Sequence, residues 1–211
     1  MHFGRNGDTG DYMSGLSAYV AKAANQANNP KGFTGQLSTD AAKFQFQGFA
    51  EPRLAYGRFM AGLQVGYAVF PKVVGTVGSP NYSNQLTLSL DGYFIPAFAI
   101  FYYRISLTER LSLNLGLGGG VMYTSIRYTE DDTVTSNSTR YTAWSAAAVA
   151  KPELAYKIGS VILMLSAPFY FAESRKVESG STSLVNGDTG KVISPNLTGI
   201  SVSLAIGYRL R

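Results

Sequence analysis

Residues 110–127 read RLSLNLGLGGGVMYTSIR. One parity carries Leu111, Leu113, Leu115, Leu117, Gly119, Val121 and Tyr123; the other carries Ser112, Asn114, Gly116, Gly118, Gly120, Met122 and Thr124. Large apolar residues thus alternate with mostly small or polar ones, which is the period of a β-strand with two different faces. A helix would need apolar residues at three-four spacing and would not hold Gly116, Gly118, Gly119 and Gly120 so close together.

The same alternation recurs on both sides of this stretch. In 59–69, Phe59, Leu63, Val65, Tyr67 and Val69 oppose Met60, Gly62, Gln64, Gly66 and Ala68. In 199–210, Ile200, Val202, Leu204, Ile206, Tyr208 and Leu210 oppose Ser201, Ser203, Ala205 and Gly207. Residues 86–102 place Leu86, Leu88, Leu90, Phe94, Phe98, Ile100 and Tyr102 on the bulky face, against Thr87, Ser89, Asp91, Ala97 and Ala99. The bulky face of 160–171 is Val161, Leu163, Leu165, Phe169 and Phe171. Segments 44–56 and 142–156 alternate likewise, with Gln45, Gln47, Glu51, Arg53, Ser145, Lys151 and Glu153 on the polar face. In 12–22, Leu16, Ala18 and Val20 suit a strand, and equally the start of a helix running toward Asn28. Counted as a strand, 12–22 brings the expected number to eight.

Composition decides which face points where. The 211 residues are 45% hydrophobic but only 15% charged, with 23 glycines, where a soluble domain averages about 25% charged. Mean hydropathy is +0.02, and no run of ~20 apolar residues offers a membrane helix. A soluble eight-stranded barrel would have to hold dozens of Leu, Phe, Tyr and Val side chains inside, more than its interior admits. Its outside would then be glycine-rich and poor in charge. Turning the bulky face into lipid and the small face into a narrow lumen removes both conflicts. Closure also leaves no unpaired strand edge in the bilayer. The expectation is an all-β, closed, antiparallel up-and-down transmembrane barrel of one domain spanning 1–211, with 1–11 as a flexible lead.

Connections agree. Gly57-Arg58, Ser106 to Glu109 and Lys157 to Gly159 read as short turns; 23–42, 71–84, 128–140 and 173–196 read as long polar loops. Short and long alternate, so the long loops share one end, as in outer-membrane barrels. Bulky-face aromatics fall into two girdles. Tyr56, Phe59, Tyr102, Tyr156 and Tyr208 lie near short turns, and Tyr67, Tyr123, Trp144, Phe169 and Phe171 toward long loops. Trp144 to Tyr156 spans roughly 28 Å at ~3.3 Å per residue and ~45° tilt, close to the ~25 Å apolar band of such barrels.

On these patterns the chain resembles the small outer-membrane β-barrels of Gram-negative-type bacteria, the OmpA-like, OmpX-like and OmpW-like group. The resemblance covers residues 12–210 and rests on pattern rather than a residue motif. It implies an integral outer-membrane location, with outer-membrane phospholipid and lipopolysaccharide as surroundings. Members of that group commonly end in an aromatic residue, whereas this chain ends Tyr208-Arg209-Leu210-Arg211.

Two octapeptides repeat 100 positions apart: Phe49-Ala-Glu-Pro-Arg-Leu-Ala-Tyr56 and Val149-Ala-Lys-Pro-Glu-Leu-Ala-Tyr156. Their lumen positions are Glu51 and Arg53 on one strand, Lys151 and Glu153 on the other, so the signs are swapped. Such charges are costly in a narrow lumen unless paired, and a network with Asp91 as a further member is expected. Barrel closure and packing are its favoured role; a gate in a small pore is the alternative. Pro52 and Pro152 have lipid-facing parity and each must interrupt a ladder hydrogen bond, with a bulge as the expected site. The repeated Asn6-Gly-Asp-Thr-Gly10 and Asn186-Gly-Asp-Thr-Gly190 read as turn chemistry, with too few carboxylates for a calcium loop.

Catalysis is not expected. The only histidine is His2, at the end of the chain, so a Ser-His-acid triad has no base. No metal site and no cofactor are anticipated. Three non-enzymatic readings stand. A scaffold whose external loops bind surface ligands or envelope proteins is favoured. A narrow channel is the second, with Phe49, Tyr93, Ile95, Met122, Ile162 and Met164 as an apolar lumen patch. The third is an anchoring subunit of an envelope complex. The net charge of +5 is assigned to the short-turn rim: Arg58, Arg104, Arg110, Lys157, Arg209 and Arg211, less Glu109. That rim suits anionic phospholipid headgroups and leaves no basic stripe for nucleic acid.

Overall fold

A computed structural model describes residues 34–36, 47–79, 82–131, 136–173, 175–184, 192, 194 and 197–209. Among them there is no helix. Thirteen strand segments form one antiparallel sheet: β1 (Thr34–Gln36), β2 (Gln47–Ala50), β3 (Arg53–Tyr56), β4 (Phe59–Ser79), β5 (Tyr82–Ser106), β6 (Leu111–Asp131), β7 (Ser136–Ile158), β8 (Val161–Ser166), β9 (Phe169–Ala172), β10 (Glu178–Ser179), β11 (Thr182–Ser183), β12 (Gly199–Ile200) and β13 (Ser203–Tyr208).

Several of these segments belong to single long strands. Gln47↔Ala68 and Tyr56↔Phe59 lie on one unbroken register, so β2 and β3 run on through Glu51-Pro52. The β8–β9 and β12–β13 pairs are continuous in the same way across Ala167-Pro168 and Ser201-Val202. No bulge sits at Pro52 or Pro152. Each proline withholds only its own N–H, and its carbonyl still accepts, from Leu63 N at 3.1 Å and from Ala167 N at 3.1 Å. Joined in this way, the segments give seven long neighbouring strands in chain order, plus β1 on the far part of β4 and the β10–β11 hairpin. The described parts of all seven segments expected between 44 and 210 lie in them.

Tight turns set the register at one end. Tyr56↔Phe59 closes on Gly57-Arg58 and Ile158↔Val161 on Gly159-Ser160, with Gly57 at φ 58° and Gly159 at φ 61°. Positive φ at the first residue of a two-residue hairpin is cheap only for glycine. At the β5–β6 turn the Thr108 hydroxyl accepts from Arg110 N at 3.2 Å and Leu111 N at 3.0 Å.

The opposite end departs from expectation. Two of the expected long loops, 71–84 and 128–140, are mainly strand: β4 and β5 pair out to Ser79↔Tyr82, and β6 and β7 to Asp131↔Ser136. Val73, Val74, Thr129 and Thr139 are good strand formers, and the polarity read as loop is strand outside the apolar band. The 173–196 stretch contains the β10–β11 hairpin.

Closure is the second difference. Among the described residues no pairing joins the β2–β3 edge to the β12–β13 edge. Residues 12–22, expected to supply the first strand, lie outside the described residues, as do 1–11, both Asn-Gly-Asp-Thr-Gly repeats, Leu210 and Arg211. The sheet is nonetheless strongly rolled. Phe98 of β5 and Tyr170 of β9, three strands apart, have ring centroids 5.7 Å apart. Met60, Phe98, Ile100, Tyr102, Met122, Val149 and Tyr170 form one enclosed cluster.

Burial runs opposite to that of a soluble protein. Lys151, Gln64 and Glu153 are 1%, 1% and 2% exposed, while Leu54, Tyr56, Leu204 and Ile206 are 82%, 89%, 77% and 76% exposed. The expected faces hold in β2–β3, β4, β6, β7, β8–β9 and β12–β13. In β5 they are reversed: Phe94, Phe98, Ile100 and Tyr102 point inward, and Phe101, Tyr103 and Ile105 point out. Both faces of β5 are bulky, so its own sequence does not reveal which is inner. Its partner does. Phe98, Ile100 and Tyr102 stand directly opposite Gly120, Gly118 and Gly116.

Those glycines are a steric requirement. A Cβ on Gly116 would sit 2.5 Å from Tyr102 Cε1; one on Gly118 or Gly120 would meet the carbonyl oxygen of Ala99 or Ala97. Outward-facing Gly119 has its nearest neighbour at 3.9 Å. Gly120→Val is therefore expected to lower stability by at least the ~1–3 kcal/mol of an overpacked core, and Gly119→Ala to change it little. Urea titration of the refolded chain in detergent checks both; equal midpoint shifts would contradict the register.

Candidate functional site

The four charged residues of the octapeptide repeat meet inside the rolled sheet. Arg53 donates two parallel bonds to Glu153, Nη1 to Oε1 and Nη2 to Oε2, both 2.7 Å. Its Nε donates to Glu51 Oε1 at 2.8 Å. Lys151 Nζ donates to Glu51 Oε2 at 2.5 Å and to Gln64 Oε1 at 3.2 Å. Each residue thus pairs with its own counterpart 100 positions on, Glu51 with Lys151 and Arg53 with Glu153. Swapped signs are what make those pairs attractive.

Neighbouring strands complete the shell. Asn114 Nδ2 donates to Glu153 Oε1 at 2.8 Å, and the Tyr102 hydroxyl donates to Glu51 Oε1. The Arg53 guanidinium lies over the Tyr102 ring at 4.4 Å, and Lys151 Nζ over the Phe49 ring at 4.7 Å. Two carboxylates and two cations sum to zero, and each side chain is at most 15% exposed. Fork-to-fork geometry and extra donors are what a buried ion pair needs to offset its desolvation.

The placement of each expected residue can now be stated. Glu51, Arg53, Lys151 and Glu153 come together; Asp91 does not. Asp91 is half-buried on β5, in register with Arg127 of β6, on the other parity from Phe94 and Tyr102. Tyr102, expected in the lipid-facing girdle, is 2% exposed and a member of the ion-pair shell. Its outward place is taken by Tyr103, whose ring lies 5.5 Å from that of Phe59. Tyr56, Phe59, Tyr156 and Tyr208 are exposed at the tight-turn end, and Tyr67 and Trp144 are exposed far from it. Phe169 and Phe171, expected level with Trp144, are exposed but in register with Ala150 and Ala148, between Trp144 and Tyr156. Tyr67, Tyr93, Tyr123 and Trp144 form a continuous outer row across β4 to β7, with centroid spacings of 5.4, 6.3 and 5.0 Å. Tyr93 and Ile95 therefore leave the expected lumen patch for the outside, because β5 is reversed. Phe49, Met122, Ile162 and Met164 have inward parity.

Arg104 also moves. Expected on the rim, it is half-buried with inward parity, opposite Asn114, and its Nη2 lies 2.8 Å from Met60 Sδ. Arg58, Arg110, Lys157 and Arg209 are exposed at the tight-turn end. Tyr102, Asn114, Gln64 and Phe49 are the site members that sequence reasoning missed. Asn114 and Gln64 were visible as polar residues on otherwise small faces, whereas Tyr102 needed the parity of β5.

Breaking one partner of this network leaves a buried charge uncompensated, at about 3–5 kcal/mol. Glu153→Gln is expected to cost that much, and Glu51→Gln plus Lys151→Met less than the sum of the two single changes. A double-mutant cycle from urea unfolding reads the coupling; additive values would show that Glu51 and Lys151 do not interact.

A scan of family models and searches of curated proteins and of solved structures each find no match to this chain.

Proposed function

We propose that this chain is an integral β-barrel of a bacterial outer membrane that serves as a binding scaffold, its polar strand extensions and external loops meeting other molecules. Inverted burial carries the reading. An outer surface built from Leu54, Phe59, Leu63, Phe101, Leu117, Leu204 and Ile206 would, in water, far exceed the few hundred Å² of apolar patch that a monomer exposes. In a bilayer the same surface is solvated, and the ladders satisfy the backbone.

In this reading the barrel closes between the β2–β3 and β12–β13 edges, since an open sheet edge is untenable in hydrocarbon. Phe49 of β2 lines one small cavity of about 10 Å³ together with Ser201, Val202 and Ser203, which supports closure there. Tyr56, Phe59, Tyr156 and Tyr208 form a belt at one interface, and the row from Tyr67 to Trp144 forms a belt at the other. Beyond the upper belt, β4 to β7 extend by some eight to twelve residues, roughly 19–28 Å at ~45° tilt. Arg58, Arg110, Lys157 and Arg209 face the anionic headgroups of the inner leaflet.

The packing of the interior among the described residues favours a scaffold over a narrow channel. Met60, Phe98, Ile100, Tyr102, Met122, Val149 and Tyr170 pack together beside the ion pairs, and that cavity holds about one water. The reading assigns no catalytic step, no cofactor and no nucleic acid partner. Heat-modifiable migration of the refolded chain on SDS gels is expected, with a folded band that shifts on boiling. Planar bilayers are expected to stay silent. An unshifted band would sink the barrel, and reproducible conductance steps would favour the channel.

A further inference from the structure

Two like charges face each other on the outer surface. Arg127 of β6 and Arg140 of β7 are directly opposed in register, and both are exposed. Like charges so placed repel, and no ion pair among the described residues offsets them. Asp91 lies across from Arg127 on β5, and Glu178 of β10 opposes Thr142, two residues from Arg140. Neither carboxylate comes within ion-pair distance, and Glu178 Oε1 accepts from the Ser183 hydroxyl at 3.3 Å.

The height of the pair on the wall suggests what does offset it. Tyr123 and Trp144 are also directly opposed, four residues down each strand, so all four side chains share the outer face. Four residues at ~3.3 Å and ~45° tilt put the arginines roughly 9 Å beyond the aromatic row. A headgroup layer is about 5–8 Å deep on each side of the ~30 Å hydrocarbon core, and an arginine stem reaches back along apolar surface while its head stays polar. Guanidinium forks match phosphate oxygens bidentately.

We infer that Arg127 and Arg140 form a site for the phosphate of an outer-leaflet lipid, whose chains lie against Tyr123 and Trp144. The inference rests on the membrane reading above and adds to it a specific lipid contact. A phosphate monoester headgroup, bearing close to two negative charges, fits two facing cations better than a zwitterionic headgroup.

Trp144 is the only tryptophan and serves as the probe. The full chain is refolded into phosphatidylcholine vesicles containing ~10 mol% of a lipid with brominated chains, either phosphatidic acid or phosphatidylcholine. Brominated phosphatidic acid is expected to quench Trp144 about threefold more than brominated phosphatidylcholine at the same mole fraction. Arg127→Gln with Arg140→Gln should abolish that preference while leaving quenching by brominated phosphatidylcholine intact, and Arg127→Lys with Arg140→Lys should keep part of it. Heat-modifiable migration confirms that each variant has folded. Equal quenching by the two lipids in the unaltered chain, or a preference that survives the double Gln change, overturns the site. A preference erased by millimolar inorganic phosphate overturns lipid as the source. No quenching by either lipid would instead overturn the membrane reading.

Discussion

The bidentate pair between Arg53 and Glu153 is the constraint from which the rest of the architecture follows. β3 and β7 are separated in the sheet by β4, β5 and β6. At about 4.8 Å per strand a flat sheet would hold them roughly 19 Å apart, yet their side chains meet at 2.7 Å. Only a tightly rolled sheet permits that contact. Once the sheet is rolled, inner and outer faces have unequal room, and residue size must be sorted accordingly. The small face goes in, together with the few polar groups that can satisfy one another. Bulk goes out, onto the face with more room.

Within that scheme β5 is the local exception, and the exception has a compensation. Phe98, Ile100 and Tyr102 would overfill the interior if their neighbours carried side chains. Gly116, Gly118 and Gly120 face them on β6, and Gly62 faces Ile100 on β4. Volume is thus conserved row by row rather than strand by strand. Tyr102 then contributes more than bulk, since its hydroxyl reaches Glu51 while its ring lies under the Arg53 guanidinium. Steric and electrostatic requirements are met by one residue, and the glycine opposite makes room for it.

Much of this was legible in the sequence, because period two is a strong signal in strands with unlike faces. β4, β6, β7, β8–β9 and β12–β13 show the expected sides, and the swapped charges of the octapeptides foretold a pairing between strands far apart in the sheet. What was not legible has physical causes. A strand bulky on both faces, such as β5, has no readable inside; its orientation is set by pairing with a glycine-rich neighbour. Polar strand beyond an apolar band looks like loop, which is why 71–84 and 128–140 misled. Prolines suggested bulges, although a residue can lose its donor without changing register when its carbonyl still pairs. Arg104 lay near a turn in sequence, yet its even parity carries it inward with Tyr102.

The repeat itself bears on how such a core arises. Two copies of one octapeptide set on facing walls would place like charges together if they were identical: Glu51 would meet a glutamate, and Arg53 an arginine. The rolled sheet brings position 51 to position 151 and position 53 to position 153, so the second copy must invert the first for each contact across the interior to be attractive. Pro52 and Pro152 are retained unchanged because they face outward, where no cross-wall partner constrains them. Leu54 and Leu154, Tyr56 and Tyr156 are retained for the same reason, each on the outer face. The sites at which the copies agree are largely those that face away from the interior. The two charge reversals fall at the positions that meet across it, as expected if pairing rather than strand propensity selected them.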